Sequence, residues 1–435
     1  MVFRRRRAPA KGIEEINVHS GLAGAHDRRL RLLIYGLNYQ PEWTGIGKYT
    51  GEMAAWLARR GHEVRAVTAP PYYPAWRVAV GYSAWSYRSE ARDGVHVRRC
   101  PLWVPRRPSG ARRMCHLASF AASSLPALLL ESRWQPQIIF VIVPTFLCVP
   151  GALLLGRLSG ARTWLHVQDF EIDAAFALFR HRSVPSWVQH LESRALRSFD
   201  RVSAISQTML QHLGDKGVPD AHAAHLPNWV DLRTIYPDRA AGDAFRQELG
   251  ISPGRMLALY SGNMGAKQGL ETLPEVVRAL EGEPIDVVLC GEGALREKLT
   301  SSMRGLSRVR FLPLQPPERL NALLNMADIH LLPQRGEAAD LVLPSKLSGM
   351  LACGGAVVAT AAEGTELHRV VTAAGGVAVH PDQPAEFARA IRNMAHAPTR
   401  REQARRGARL YAEQHLGIDA ILQRFEIALE QLVYA

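Results

Sequence analysis

Cysteine is scarce and unpatterned in this chain. The five in 435 residues (Cys100, Cys115, Cys148, Cys290 and Cys353) are odd in number, scattered, and mostly set in apolar runs. Neither a disulfide framework nor a metal-ligand spacing can be drawn through them, which points to a reducing cytosol. Also missing is an apolar core behind the arginines Arg4 to Arg7. Residues 1–28, rich in Ala, Gly and Arg and without periodicity, therefore read as a disordered basic extension and not as a signal peptide. Nor is there a clean transmembrane span. Ile138 to Gly156 is 19 residues without a charge, but Pro144 and Pro150 divide it into a buried-strand run and a following helix.

Acid is short at one end only. Residues 1–115 hold 21 Lys/Arg against 8 Asp/Glu, whereas the remainder holds 32 against 32, so the net charge of +13 belongs to the N-terminal quarter. Arg98-Arg99, Arg106-Arg107 and Arg112-Arg113 flank Met114 to Leu130, an apolar segment of helical length without a charge. A cationic patch beside an exposed apolar face suits an anionic membrane surface, at the inner leaflet for a cytosolic protein. A solvated face beside an ordinary core helix is the plainer alternative. Nucleic acid is not expected, because no aromatic-spaced basic groove accompanies the arginines.

What is present is alternation. Strand-like runs at Leu30–Tyr35, Glu63–Thr68, Ile138–Val143 and Thr163–Val167 alternate with amphipathic segments, and a second series begins after Tyr236. Such alternation signals parallel sheets covered on both faces. Two α/β domains are expected, at 29–236 and 237–412, with a cleft between them and a final amphipathic helix at 413–435 packing back on the first. The first strand runs into a loop with two glycines, Gly45 and Gly47, and then a helix. Glycines there let the backbone approach a ligand, and the helix start offers free N–H groups to an anion. A P-loop is excluded because Glu42 stands where its first glycine belongs and Tyr49 follows Lys48. A dinucleotide fingerprint is disfavoured: its glycines lie far beyond the strand, and the next strand ends in Ala69-Pro70-Pro71 without an acid for a ribose.

Several motifs in order resemble a known family. They are Gly36-Leu37-Asn38-Tyr39 with Thr44 to Thr50; Thr68-Ala69-Pro70-Pro71-Tyr72-Tyr73-Pro74; His166-Val167-Gln168-Asp169; Pro227-Asn228-Trp229-Val230-Asp231; Ser261 to Gly269; Gly291-Glu292-Gly293; and Leu343-Pro344-Ser345-Lys346-Leu347. Together they resemble family 4 glycosyltransferases of the GT-B fold, specifically the colanic-acid and exopolysaccharide subgroup, over nearly the whole chain from Arg29.

The resemblance implies two Rossmann-like domains facing a central cleft. It implies a nucleotide-diphosphate sugar as donor (GDP- or UDP-linked), a lipid-linked or growing polysaccharide acceptor, and retention of anomeric configuration. The leaving diphosphate needs positive charge. Lys267, Lys346, Ser345 as a helix cap, Asn263, Gly291 and the backbone at Gly45 and Gly47 are the candidate donor-binding groups. No DxD-like pair stands where a metal would be needed, so neither metal nor cofactor is expected. His166 and Asp169, at the carboxyl end of a strand, are the candidate catalytic pair, Asp169 orienting or deprotonating the acceptor hydroxyl and His166 bonding the sugar. A strand-end histidine can equally be a satisfied structural group. Glu171 and Asp173 stand close enough to replace Asp169.

One departure stands out. The family's pair of glutamates eight positions apart falls on Leu341 and Gly349, neither of them acidic. The usual donor-sugar and ribose contacts therefore do not carry over. An epimerase of free nucleotide sugars on the same fold, and a non-catalytic nucleotide-sugar-binding protein, are the alternatives this leaves.

Overall fold

The computed structural model describes residues 29–106, 110–170, 185–265, 268–335 and 343–434. Lys267, Arg107, Glu171, Asp173, Leu341 and the N-terminal extension lie outside them. The chain divides into two compact units. Unit 1 takes the chain up to Ala204, Leu210–Leu226 and the stretch from Gln423; unit 2 takes Ile205–Met209 and Pro227–Leu422.

Unit 1 is built on β1 (Arg31–Gly36), β2 (Glu63–Thr68), β3 (Arg88–Arg92), β4 (Val95–Arg99), β5 (Ile138–Val143), β6 (Arg162–Val167), β7 (Arg201–Ala204) and β8 (Ala223–His225). Their order is β3-β4-β2-β1-β5-β6-β7-β8. All neighbours are parallel except β3 and β4. All six residues of β5, Ile-Ile-Phe-Val-Ile-Val, are buried, as a strand covered on both faces requires. The antiparallel edge strand β3 gave no apolar signal because its residues are largely exposed. It is made by a tight turn at Asp93-Gly94, where both residues have positive φ.

The helices of this part are α1 (Gly45–Arg59), α2 (Gly110–Leu130), α3 (Val149–Ser159), α4 (Ser186–Leu196) and α5 (Gln207–Asp215). From β1 the chain crosses through α1 to β2 on one side, and from β4 it returns through α2 to β5 on the other. The carboxyl ends of β1 and β5 thus form the switch point at which open α/β sheets bind ligands.

Unit 2 repeats the plan with β9 (Met256–Ser261), β10 (Ile285–Cys290), β11 (Val309–Leu312), β12 (Ile329–Leu332), β13 (Ala356–Thr360) and β14 (Val377–Val379), in the order β11-β10-β9-β12-β13-β14. Every neighbouring pair is parallel. Its helices are α6 (Arg239–Glu248), α7 (Leu273–Ala279), α8 (Arg296–Ser302), α9 (Pro317–Asn325), α10 (Lys346–Ala352), α11 (Glu366–Ala373), α12 (Pro384–His396) and α13 (Pro398–His415), followed by α14 (Ile418–Tyr434). Leu273, Val276, Phe387, Ile391 and Met394 fill one core cluster, and Phe245 and Leu323 belong to another. Here the switch point lies between β9 and β12.

The later part of α14 belongs to unit 1. Phe425 packs edge-on against Phe140 and Trp164, with ring centroids 5.1 and 5.2 Å apart. Glu426 meets His62 Nε2 at 2.9 Å and Arg60 Nε at 3.2 Å. Burial alone would raise the Glu426 pKa, but these hydrogen bonds outweigh it and hold the carboxyl below its ordinary value.

Two arginines expected on a basic surface are paired with acids instead, Arg99 inside and Arg98 partly exposed. Arg99 is fully buried, bonded to Glu90 at 2.7 Å and to the Ala69 carbonyl at 3.0 Å, and Arg98 pairs with Glu131 at 3.6 Å. A charge facing the interior must be paired, and Arg99 is.

Candidate active site

The donor candidates of unit 2 gather where β9 and β10 end. Gly262 N–H donates to the Cys290 carbonyl at 2.9 Å, and Met264 N–H to the Glu292 carbonyl at 2.7 Å, so the two post-strand loops are stitched backbone to backbone. Gly291 has φ +146, and a side chain there would run into the Gly262 carbonyl oxygen. Both facts demand glycine. Gly291→Ala should destabilise the protein by about 3 kcal/mol or more, measured by urea unfolding, and should remove nucleotide affinity with it. Asn263 is exposed, and its carbonyl accepts the Tyr260 hydroxyl at 2.6 Å.

Lys346 opens α10 after β12, facing this junction across the switch point. Its Nζ donates to Gln268 Oε1 at 2.6 Å and to the Tyr260 hydroxyl at 3.1 Å, and stands over the Tyr260 ring at 4.3 Å. An alanine Cβ at Gly262 would lie 3.8 Å from Nζ. All of these partners are neutral, and among the described residues no carboxylate pairs with it. Burial pulls its pKa down to about 7. Ser345 does not cap the helix as expected. It already has helical dihedrals, from which a hydroxyl cannot reach back over the free N–H groups, and its carbonyl instead accepts Ser348 Oγ at 2.8 Å.

In unit 1 the glycine loop is less open than expected, because Gly45 and Gly47 are the first turn of α1. A side chain on Gly47 would come within 2.6 Å of Glu42 Oε2. The glycine is thus explained by the turn before the helix, packed directly on it. Glu42, which sequence reasoning used only to exclude a P-loop, is the hub. Its Oε1 accepts the N–H groups of Tyr72 and Tyr73, both at 2.9 Å, and its Oε2 accepts Asn38 Nδ2 at 2.9 Å. Burial raises its pKa against the effect of these hydrogen bonds. The loops after β1 and β2 are tied together through one carboxyl. An acid amid aromatic and apolar neighbours was the available signal.

His166 lies within β6, not beyond it. Its Nδ1 meets Ser203 Oγ at 2.8 Å and its Nε2 meets the Gln168 amide at 2.9 Å, while the ring stacks on Phe140. Burial lowers its pKa to about 3. Both nitrogens are therefore occupied by protein, and the ring is neutral at ordinary pH. Asp169 is half-buried and lines a small concavity with Val143, Phe146, Phe170 and Glu192. The structure thus separates the two: Asp169 lines a concavity, whereas His166 is buried with both ring nitrogens bonded to protein. Among the described residues no three His, Cys, Asp or Glu side chains come together as a metal set.

Both units match known sequence families. The family described as "Glycosyl transferase 4-like domain" matches residues 44–229, and that described as "Glycosyl transferases group 1" matches residues 242–411. A relative from Escherichia coli (strain K12), bearing the name colanic acid biosynthesis glycosyl transferase WcaI, is 43% identical over 406 residues, 91% of this chain and 98% of its own. This chain belongs to the family 4 glycosyltransferases. Solved structures place the glycosyltransferase in the GT-B fold. Sucrose-phosphate synthase from Thermosynechococcus elongatus superimposes with a TM-score of 0.74 at 17% identity, covering 93% of this chain and 99% of that one. Anabaena HepE, solved with UDP and glucose, superimposes with a TM-score of 0.68 at 14% identity, covering 92% and 100%.

Proposed function

We propose that this glycosyltransferase takes its sugar from a nucleotide diphosphate held by unit 2 and passes it to a lipid-linked or growing polysaccharide acceptor held by unit 1. In this reading the reaction retains anomeric configuration, uses no metal, and takes place at the cytoplasmic face of the membrane. The observation that carries it is Lys346, a half-buried amine whose partners among the described residues are all neutral. Burial disfavours the charge on such a group, and an arriving anion stabilises it. A donor diphosphate laid along Gly262 and Gly291 would meet backbone at close approach and that ammonium together. As the sugar bond breaks, the growing charge on the diphosphate would strengthen the same contacts, which is where electrostatic catalysis acts. That HepE holds UDP in a similar fold supports a nucleotide donor.

Asp169 is the group assigned to the acceptor hydroxyl, with His166 holding Gln168 beside it. Asp169→Asn should lower kcat about a hundredfold or more with little change in donor KM. Equal loss in kcat and in donor affinity would instead place Asp169 at the donor, and a lowered melting temperature would mark a folding defect.

The decisive experiment incubates the protein with a panel of radiolabelled UDP- and GDP-sugars and a polyprenyl-diphosphate oligosaccharide, in the presence and absence of a chelator. The expected result is sugar in the lipid fraction, undiminished by chelation. Turnover only with added divalent metal would remove the metal-free clamp, and transfer only to a water-soluble acceptor would remove the lipid acceptor.

A further inference from the structure

Large apolar side chains are distributed unequally between the two units. Among the described residues unit 2 exposes Tyr236 and Leu410, whereas unit 1 exposes most of the others, including Val80, Trp85, Trp103, Met114, Leu130 and Leu158. These are not scattered singly. The helix α2 is long and apolar enough to cross a membrane by composition, yet it cannot do so in this fold, because its inner face is core. Leu117, Phe120 and Leu128 are buried, and Ser124 Oγ is hydrogen-bonded to Tyr35 of β1 at 2.7 Å. Its outer face, running through Met114, Cys115, Ala118, Ala122, Leu125 and Leu130, has no charge and, among the described residues, no covering element.

Two neighbouring segments widen that face. The Tyr87 hydroxyl donates to the Ser123 carbonyl at 2.7 Å, and Trp103 N–H donates to Ser119 Oγ at 3.1 Å, so both aromatics are fastened to α2. Trp85, 78% exposed, stands beside Tyr87. On the other flank, α3 meets α2 at Gly151, where a Cβ would touch Leu125 and Leu128 at 3.2 Å, and presents Leu154 and Leu158 outward. The fringe is cationic: Arg106, Arg112 and Arg113 are exposed before and in the first turns of α2, Arg133 is exposed just past its end, and α2 has no acidic residue.

We infer that this face of unit 1, formed by α2, the outer side of α3 and the segment carrying Trp85, is a docking surface for an anionic lipid bilayer. Aliphatic side chains in the middle, aromatics at the edge and arginines on the fringe match the acyl boundary, the interface and the headgroups in turn. Charge complementarity selects the occupant, since an apolar face fringed by Arg106, Arg112, Arg113 and Arg133 suits a surface of negative headgroups. The inference deepens the membrane reading proposed above, but its test uses neither donor nor acceptor.

Cys115 supplies the probe. It sits on the outer face of α2 and is the one exposed cysteine, the other four being buried. Full-length protein labelled there with an environment-sensitive fluorophore is mixed with vesicles of phosphatidylcholine alone or with about 30% phosphatidylglycerol. A Cys115→Ser protein labelled at Leu410→Cys in unit 2 is the control. Emission at Cys115 should rise, and be quenched by a bilayer-embedded nitroxide, only on the anionic vesicles, with the control silent. Arg112→Glu with Arg113→Glu should weaken vesicle affinity about 25-fold or more at low salt. Trp85→Glu with Met114→Glu and Leu130→Glu should abolish quenching while leaving the melting temperature unchanged. The proposal is overturned if the Cys115 label is unaffected by anionic vesicles, or if the Leu410 label responds equally. It is also overturned if the Cys115 signal follows protein concentration without lipid, which would mean a second copy covers the face. Failure here would leave the transfer assay standing, and the reverse.

Discussion

Lys346→Ala should lower kcat/KM for the sugar nucleotide by about 10²- to 10³-fold, the loss usual when one preorganised donor to a developing anion is removed. Nucleotide-induced stabilisation in a thermal melt should vanish with it. The variant should fold, because the alanine removes a half-buried amine whose partners among the described residues are neutral, at 2.6 Å to Gln268 and 3.1 Å to Tyr260. Lys346→Met, which keeps the apolar stem, tests the same point without a cavity. Steady turnover by both variants would show that the diphosphate is held elsewhere.

The same amine gives a pH dependence whose sign follows from its environment. Burial brings its pKa to about 7 in the empty protein. Below that value it is already a cation when a donor arrives. Above it the amine is neutral and must take up a proton on binding, so affinity falls as pH rises. A sugar nucleotide's diphosphate is a diester and does not titrate in this range, so the donor dissociation constant should be flat below pH 7. It should then rise about tenfold per unit above, roughly a hundredfold by pH 9. Calorimetry at pH 9 in buffers of different ionisation enthalpy should register close to one proton taken up. Lys346→Met should flatten the profile. A wild-type profile already flat to pH 9 would sink the assignment.

Glu42→Ala should be among the most destabilising single changes in unit 1. The side chain is 2% exposed and accepts three N–H groups at 2.9 Å, from Tyr72, Tyr73 and Asn38. Truncation leaves those donors without a partner at about 1 kcal/mol each or more, which translates to a fall of about 6–12 °C in melting temperature for a unit of this size. Glu42→Gln keeps an oxygen for the two backbone groups and should recover much of that loss. Acceptor kinetics should suffer beyond stability, because the loops after β1 and β2 would lose the carboxyl that joins them. If Glu42→Ala melts with wild type, that hub role is wrong.

The contrast between Lys346 and His166 explains where sequence reasoning carries. Alternating buried runs such as Ile138–Val143, with amphipathic segments between, specify parallel α/β units because periodicity is local and each strand announces its own burial. The family could be recognised for a related reason: glycines at backbone crossings, such as Gly291 against Gly262, have no substitute and so stay legible. Side-chain roles depend on partners far away in the chain. His166 read as a ligand-facing group until Ser203, 37 residues on, and Gln168 were seen to occupy its two nitrogens. Arg98 and Arg99 read as free surface charge until Glu131 and Glu90 were seen to pair with them, Arg99 fully inside. Glu42 read as a gap in a motif until the backbone of Tyr72 and Tyr73 closed on it. Element type is set by neighbours a few residues apart, which any window along the chain contains. Whether a charge is free or already spent is set by which strands lie side by side, and hydrogen bonds across that distance leave no periodic trace in the order of residues.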